Sequence, residues 1–289
     1  MHIRLHNAVT HCLISAAWLT LFALAGCAVT SAHGADQYFQ GNALKLAVAS
    51  EQGDAGEIRR LMKDAGVNPD TEFSSRDGIP LLAWPLRAKN LDGLRAMLEN
   101  GADPNARLVK TMNGEVIHFN HAMVYAAKME DPRYLELLLK HRGDPNARNS
   151  NNEPLLLQAF LSGNQWENVK LLVQHGATIN ASVLSKGDDT VLSWYTGRGG
   201  FDAAYWLLEH GADPTIPARL PAGSSGPARQ TMVEDIYWEI TTPELLPWQK
   251  KCQQWLIARN INRPALPEHI RKKREAFGLP AREQDIPLL

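Results

Sequence analysis

Leu98-Glu99-Asn100-Gly101-Ala102-Asp103-Pro104-Asn105-Ala106-Arg107 returns downstream as Leu139-Lys140-His141-Arg142-Gly143-Asp144-Pro145-Asn146-Ala147-Arg148. It returns again as Gln174-His175-Gly176-Ala177-Thr178-Ile179-Asn180 and as Glu209-His210-Gly211-Ala212-Asp213-Pro214. A degenerate earlier copy, Ala65-Gly66-Val67-Asn68-Pro69-Asp70, puts Asn68 in the slot held elsewhere by Asp103, Asp144, Thr178 and Asp213. The five slots are spaced by 35, 41, 34 and 35 residues. Each copy closes an apolar helical run and carries a glycine at or beside the left-handed cap, and all but the Thr178-Ile179 copy place Asp or Asn before Pro to start the turn. Such a period describes a stacked array of units, none of which can bury its apolar face alone.

Working outward, each unit reads as two helices. Unit one places Ala43, Leu44, Leu46, Ala47 and Val48 on a first helix and Ile58, Leu61 and Met62 on a second. Lys45, Glu51, Arg59, Arg60 and Lys63 are expected on its solvated outer face. Unit two uses Leu81, Leu82, Ala83 and Leu86, then Leu94, Met97 and Leu98; units four and five repeat the pattern around Leu155–Phe160 and Val191–Trp194. In unit three, Arg142 stands in the glycine slot and Gly143 one place later.

The closing phrase, together with the openings Ile79-Pro80-Leu81-Leu82, Glu153-Pro154-Leu155-Leu156 and Thr190-Val191-Leu192-Ser193, resembles the ankyrin repeat family, whose opening is Thr-Pro-Leu-His followed by two alanines. The resemblance implies an all-α ankyrin-repeat solenoid over residues 41–218. It would hold about five repeats, short β-hairpin fingers and a degenerate C-terminal capping unit. No copy keeps the family's histidine, and the small alanine position holds Trp84, Gln158 and Tyr195, with Ala126 alone matching. Bulky residues there are expected to splay adjacent units.

The 41-residue spacing locates an insertion between Arg107 and His121, where Val109-Lys110-Thr111-Met112-Asn113-Gly114-Glu115-Val116-Ile117-His118 stands. Asn-Gly flanked by β-formers predicts a hairpin, because both turn residues need positive φ. This finger would exceed an ordinary ankyrin finger by about three residues per strand, or roughly 10 Å. It reads either as a contact surface or as a tolerated loop insertion.

Residues 1–26 combine a single formal charge, Arg4, with an apolar run from Leu13 to Ala25, and no acid precedes Asp36. That is the pattern of a secretory signal. The run ends Leu24-Ala25-Gly26-Cys27, which resembles the lipobox of bacterial lipoproteins and implies acylation of Cys27. Ala28 after the cysteine implies sorting to the outer membrane, facing the periplasm. Residues 27–40 read as a tether of roughly 20 Å. Beyond residue 26 no apolar stretch approaches the roughly 20 residues that span a bilayer, so attachment is expected through the lipid alone.

Removing Arg4 with the signal leaves 29 basic against 31 acidic side chains, which gives no footprint for nucleic acid. Cys27 and Cys252 are the cysteines left, and an acylated Cys27 cannot pair, so no disulfide is expected. Cys252 beside Lys250 and Lys251 reads as a packed helix cysteine in preference to a reactive thiol, since no base sits at helical spacing. The segment 219–264 reads as a loop followed by the capping helix pair, in which Asn260 takes the role of a cap glycine. Residues 265–289 read as a basic helix and tail. Between Glu244 and Glu275 eight basic residues face three acidic ones, either as a solvated face or as a docking patch.

His141, His175 and His210 recur just before the helix ends and read as helix caps in preference to a metal ladder, because equivalent positions lie about 10 Å apart. His118 and His121 lack a third ligand at a suitable spacing. With no Gly-rich phosphate loop, serine elbow or paired-cysteine motif, no enzyme activity and no cofactor are expected; binding of a protein is.

The candidate contact residues are Lys110, Thr111, Met112, Asn113, Gly114 and Glu115 on the finger. Arg76, Asp77, Trp84, Lys128, Trp194 and Arg198 form a second tier on the concave side. Ankyrin-repeat proteins of bacterial envelopes include immunity proteins against secreted type VI lipase or phospholipase effectors, and others that support periplasmic enzymes such as catalase. The resemblance therefore implies an immunity role, with an envelope scaffold or support factor as the alternative.

Overall fold

The computed structural model describes residues 31–183, 189–217 and 229–289. The signal segment, Cys27 and most of the Pro217–Gln230 loop lie outside them. Unit one is α1 (Gly41–Gln52) and α2 (Ala55–Arg59), which continues as a wider turn over Arg60–Asp64. Unit two is α3 (Trp84–Arg87), entered through a tight turn at Leu81–Ala83, and α4 (Leu91–Glu99). The finger, β1 (Val109–Met112) and β2 (Glu115–His118), precedes unit three, α5 (Ala122–Ala127) and α6 (Arg133–Lys140). Units four and five are α7 (Leu155–Leu161) with α8 (Trp166–Gln174) and α9 (Val191–Thr196) with α10 (Phe201–Glu209). A sixth pair, α11 (Thr231–Trp238) and α12 (Leu246–Ile257), is followed by α13 (Glu268–Ala276).

Successive first helices pack on one another, as do successive second helices, so the core is a sandwich of two helical layers. In α6 the inward positions Leu135 and Leu138 are fully buried, while Glu136 and Lys140 pair at 2.7 Å on the outer face. Spacing of i and i+3 puts the two leucines on one stripe, which is how a helix of this length gains stability from packing.

The closing phrase does two physical jobs. At the end of the second helix in units two, four and five a left-handed glycine lets the next N–H reach back five residues: Ala102 to Met97 O at 3.1 Å, Ala177 to Leu172 O at 2.9 Å and Ala212 to Leu207 O at 3.0 Å. These bonds satisfy carbonyls that the helix end leaves orphaned. In unit three Arg142 takes the left-handed turn at φ 70° and Gly143 donates to Leu138 O at 2.9 Å. Gly143 is needed for room, since a Cβ there would stand 2.3 Å from Met123 Sδ. Asn260, at φ 60°, closes α12 in the same way.

The second job joins the units. The side chain two residues past each Asp slot accepts the slot N–H of the next unit: Asp103 N to Asp70 Oδ1 at 2.8 Å, Asp144 N to Asn105 Oδ1 at 2.7 Å, Thr178 N to Asn146 Oδ1 at 2.7 Å and Asp213 N to Asn180 Oδ1 at 2.9 Å. Within a turn the slot side chain accepts from two residues on, as Asp103 does from Asn105 N at 2.9 Å. A ladder of side-chain amides and carboxylates thus runs along the turn edge, and it explains why Asp-Pro-Asn recurs.

Three expectations are corrected at the N-terminal end. Residues 31–40 are no free tether: Ala35 and Phe39 are buried on unit one, and Ser31 Oγ and Ala32 N donate to Glu51 at 2.9 and 2.8 Å. Glu51 does not face solvent, because its carboxylate also accepts from Trp84 Nε1 at 3.0 Å, and a buried carboxylate persists only when its oxygens are so met. Trp84 is itself completely buried under the rings of Tyr38 and Phe39 at 5.2 and 5.6 Å.

The other bulky residues in alanine slots are likewise held by neighbours. Gln158 donates to Glu153 at 2.7 Å, and Tyr195 packs edge-on against Phe160 and Trp166 with its hydroxyl on Asn164.

Among the described residues no helix is long and apolar enough to cross a membrane. Cys252 is fully buried, and burial, with the charge of Asp202, pushes its thiol up to about 12, so the thiolate that would react is not formed at neutral pH. His175 Nδ1 and His210 Nδ1 meet the carbonyls of Leu171 and Trp206 at 2.9 and 2.7 Å, each ring closing its own helix. His141 closes α6 through its backbone N–H.

Much of the C-terminal basic cluster is engaged internally. Lys273 pairs with Glu239, Arg271 with Glu268 and Glu275, and Arg274 donates to Trp238 O and Pro280 O. Ile270 of α13 is buried against the capping unit.

Candidate protein-binding surface

Asn113 and Gly114 sit at φ 53° and 81°, and the strands pair as Val109 with His118, Lys110 with Ile117, Thr111 with Val116 and Met112 with Glu115. Positive φ at both central residues gives a two-residue hairpin turn whose twist matches the strands. The neighbouring units make only single bridges at the equivalent place, Phe73 with Pro80 and Arg148 with Pro154. The finger is therefore the long one among them, as the sequence spacing implies.

Its base is fixed. Phe119 N continues the ladder to Leu108 O at 2.9 Å, and Arg107 Nε donates to Phe119 O at 3.0 Å. The Phe119 ring presses on Gly78, where a Cβ would stand 2.5 Å from a ring carbon; only glycine, at φ 70°, admits that contact. Lys110 Nζ lies 5.7 Å from the centre of the same ring.

Beyond that base every strand residue is exposed. Because side chains alternate along a strand, Val109, Thr111, Val116 and His118 share one face, and Lys110, Met112, Glu115 and Ile117 the other. Each face thus carries two apolar side chains open to solvent: Val109 at 47% and Val116 at 59% on the first, Met112 at 52% and Ile117 at 37% on the second. A two-stranded ribbon gains no core of its own from such residues.

The second tier divides. Arg76 and Asp77 are exposed in the short turn of unit two. Trp84, buried as described, offers no surface, and its place is taken by Tyr38 and Arg87, whose guanidinium lies 5.0 Å from the Tyr38 ring. Tyr38 sits in the segment read as a tether, so sequence pattern missed it. Lys128 is exposed at the end of α5. Trp194 and Arg198 come together, the guanidinium 4.5 Å from the Trp194 ring centre and 5.1 Å from that of Phe160.

These rings begin a run of contacts, Trp194 to Phe160 to Tyr195 to Trp166 to Trp206, that ends with His210 stacked on Trp206 at 3.6 Å. Between Leu86, Tyr125 and Met129 lies a mostly apolar hollow of about 230 Å³. Rigid aromatic groups with arginines over them are the usual anchors of protein contacts. Among the described residues no group of three or more His, Cys, Asp or Glu side chains is placed to hold a metal.

A stacked helix-pair solenoid with a projecting ribbon defines the class, a helical repeat protein. Residues 123–218 match the family model for ankyrin repeats in three copies. The fold is that of an ankyrin-repeat solenoid, similar to the crystal structure of the ankyrin repeat domain of Bcl-3, a member of the IkappaB protein family. That similarity has a TM-score of 0.53 at 23% identity and covers 73% of this chain and 85% of that one. The chain is also 28% identical over 198 residues to the ankyrin repeat and KH domain-containing protein mask-1 of Caenorhabditis elegans. That match covers 60% of this chain but spans only 7% of the relative's length. Ankyrin repeats mark the chain as a protein–protein interaction module.

Proposed function

We propose that the chain binds a folded protein by inserting the finger into a cleft, with Arg76, Asp77, Lys128, Trp194 and Arg198 as contacts around it. One observation carries this: apolar side chains stand exposed on both faces of the ribbon. A ribbon that docks flat needs one apolar face, whereas one that fills a cleft is buried on two. The resemblance of the leader to a lipobox supports placing this module on the outer membrane, facing the periplasm, through acylated Cys27. In that setting the cleft is the active site of a secreted type VI lipase or phospholipase effector, and the chain is its immunity protein.

Val109 and Val116 changed together to Ser, and separately Met112 and Ile117 changed together to Ser, are each expected to weaken the partner complex at least tenfold, about 1.4 kcal/mol. Unaltered affinity in either pair, measured by calorimetry, refutes insertion. Labelling with a fatty-acid probe is expected to mark the wild-type protein and not Cys27→Ser; equal labelling of the two removes the anchor.

A further inference from the structure

At the base of the finger lies a cavity of about 460 Å³ lined by Arg107, His118, His121, Asp144 and Arg148, among others. Two of its side chains hold buried nitrogens without a partner, Nη2 of Arg107 and Nδ1 of His121. His121 is 2% exposed, and the two residues are close enough for the Arg107 charge to help burial hold the imidazole down to about 4. Arg107 donates Nε to Phe119 O, and Arg148 donates Nη1 to the carbonyls of Asn152 and Ser182 at 2.7 and 3.0 Å. Both guanidiniums thus meet neutral acceptors, and neither has a carboxylate partner among the described residues. Nη2 of Arg107 is an unmet buried donor, which is unfavourable and calls for an acceptor. The His121 ring also hydrogen-bonds to the Arg148 backbone, so its Nδ1 becomes a second donor once the ring takes up a proton.

We propose that this pocket receives an acidic side chain of the protein partner, its carboxylate bridging Arg107 and His121. A carboxylate offers one acceptor oxygen to Arg107 Nη2 and a second to His121 Nδ1, whose ring takes up a proton as the anion arrives, and a guanidinium edge is shaped to receive it. Two arginines against the single Asp144 favour a monoanion, while Asp144 weighs against a dianion such as phosphate. The pocket opens between the long finger and the following turn, so the inference rests on the reading that this side faces the partner and supplies its chemistry.

The test uses the whole protein without any partner, so its outcome is separate from that of the finger. The His121 ring signals are followed by NMR during titration with N-acetyl-glutamate N-methylamide and, separately, with the glutamine analogue. The acid is expected to bind saturably and the amide at least tenfold more weakly. Arg107→Gln is expected to abolish the response, and Arg107→Lys, which keeps the charge and loses the fork, to reduce it. The acid–amide comparison in the wild-type protein decides the matter even if a variant fails to fold. Equal binding of the amide, no binding of the acid, or tighter binding of inorganic phosphate overturns the proposal. Tighter binding of a free dicarboxylate such as succinate than of the side-chain probe would assign the pocket to a small molecule and overturn the assignment to a partner.

Discussion

Gly93→Ala is expected to destabilise the protein by at least about 3 kcal/mol, the upper end of ordinary overpacking. Gly93 lies in the first turn of α4, and a Cβ there would stand 1.8 Å from the carbonyl oxygen of Ser50 and 2.7 Å from its carbon. Neither side can yield cheaply. Ser50 is buried, and its hydroxyl donates to Ala47 O at 2.7 Å; α4 is tied to unit one by Asn90, whose amide donates to Glu51 O at 3.1 Å and accepts from Gly93 N at 2.8 Å. Moving α4 away breaks that joint and opens the layer contact between units one and two. The gain of about 0.5–1 kcal/mol from replacing a helical glycine does not compensate. Gly211→Ala is the control: nothing stands within 4 Å of its Cβ and only the φ of 93° is strained, so about 1–2 kcal/mol is expected. Chemical denaturation of both variants checks this, and a cost at Gly93 no greater than that at Gly211 contradicts the close helix approach.

Leu138→Ala is expected to cost about 2–5 kcal/mol. The side chain is completely buried in α6, in a unit flanked on both sides, so its loss leaves a cavity that the neighbours can only partly close. In a one-dimensional array such a weakness uncouples the units on either side. Hydrogen exchange is therefore expected to show units three and four opening before unit five. A change under about 0.5 kcal/mol, the range of ordinary surface substitutions, would mean that the helical register is wrong.

What could be read from the sequence was what repeats or is local. The closing phrase fixed the helix ends because glycine or Asn at a left-handed position has no competing use there. Asn113-Gly114 fixed the finger's register because its turn chemistry is set by two adjacent residues. The displaced Arg142-Gly143 pair was visible as an irregularity, but its cause, the room needed beside Met123, lies across the unit. Contacts between distant positions were beyond reach. Glu51 stands on a helix where periodicity permits either face, and its burial is decided by Ser31, Ala32 and Trp84. Trp84 in an alanine slot suggested an exposed wedge, yet Tyr38 and Phe39, in a stretch with no periodic signal, cover it. The pocket beside Arg107 and His121 belongs to the same class, because three separate segments close it.

The most direct test of the account is to replace residues 110–115 by a two-residue turn and to measure both melting and partner affinity. The finger buries none of its strand residues, so melting is expected to stay nearly unchanged while affinity falls at least tenfold, about 1.4 kcal/mol. A shortened protein that binds its partner as tightly as the wild type would contradict the account and leave Trp194, Arg198 and the unit-two turn to carry the contact.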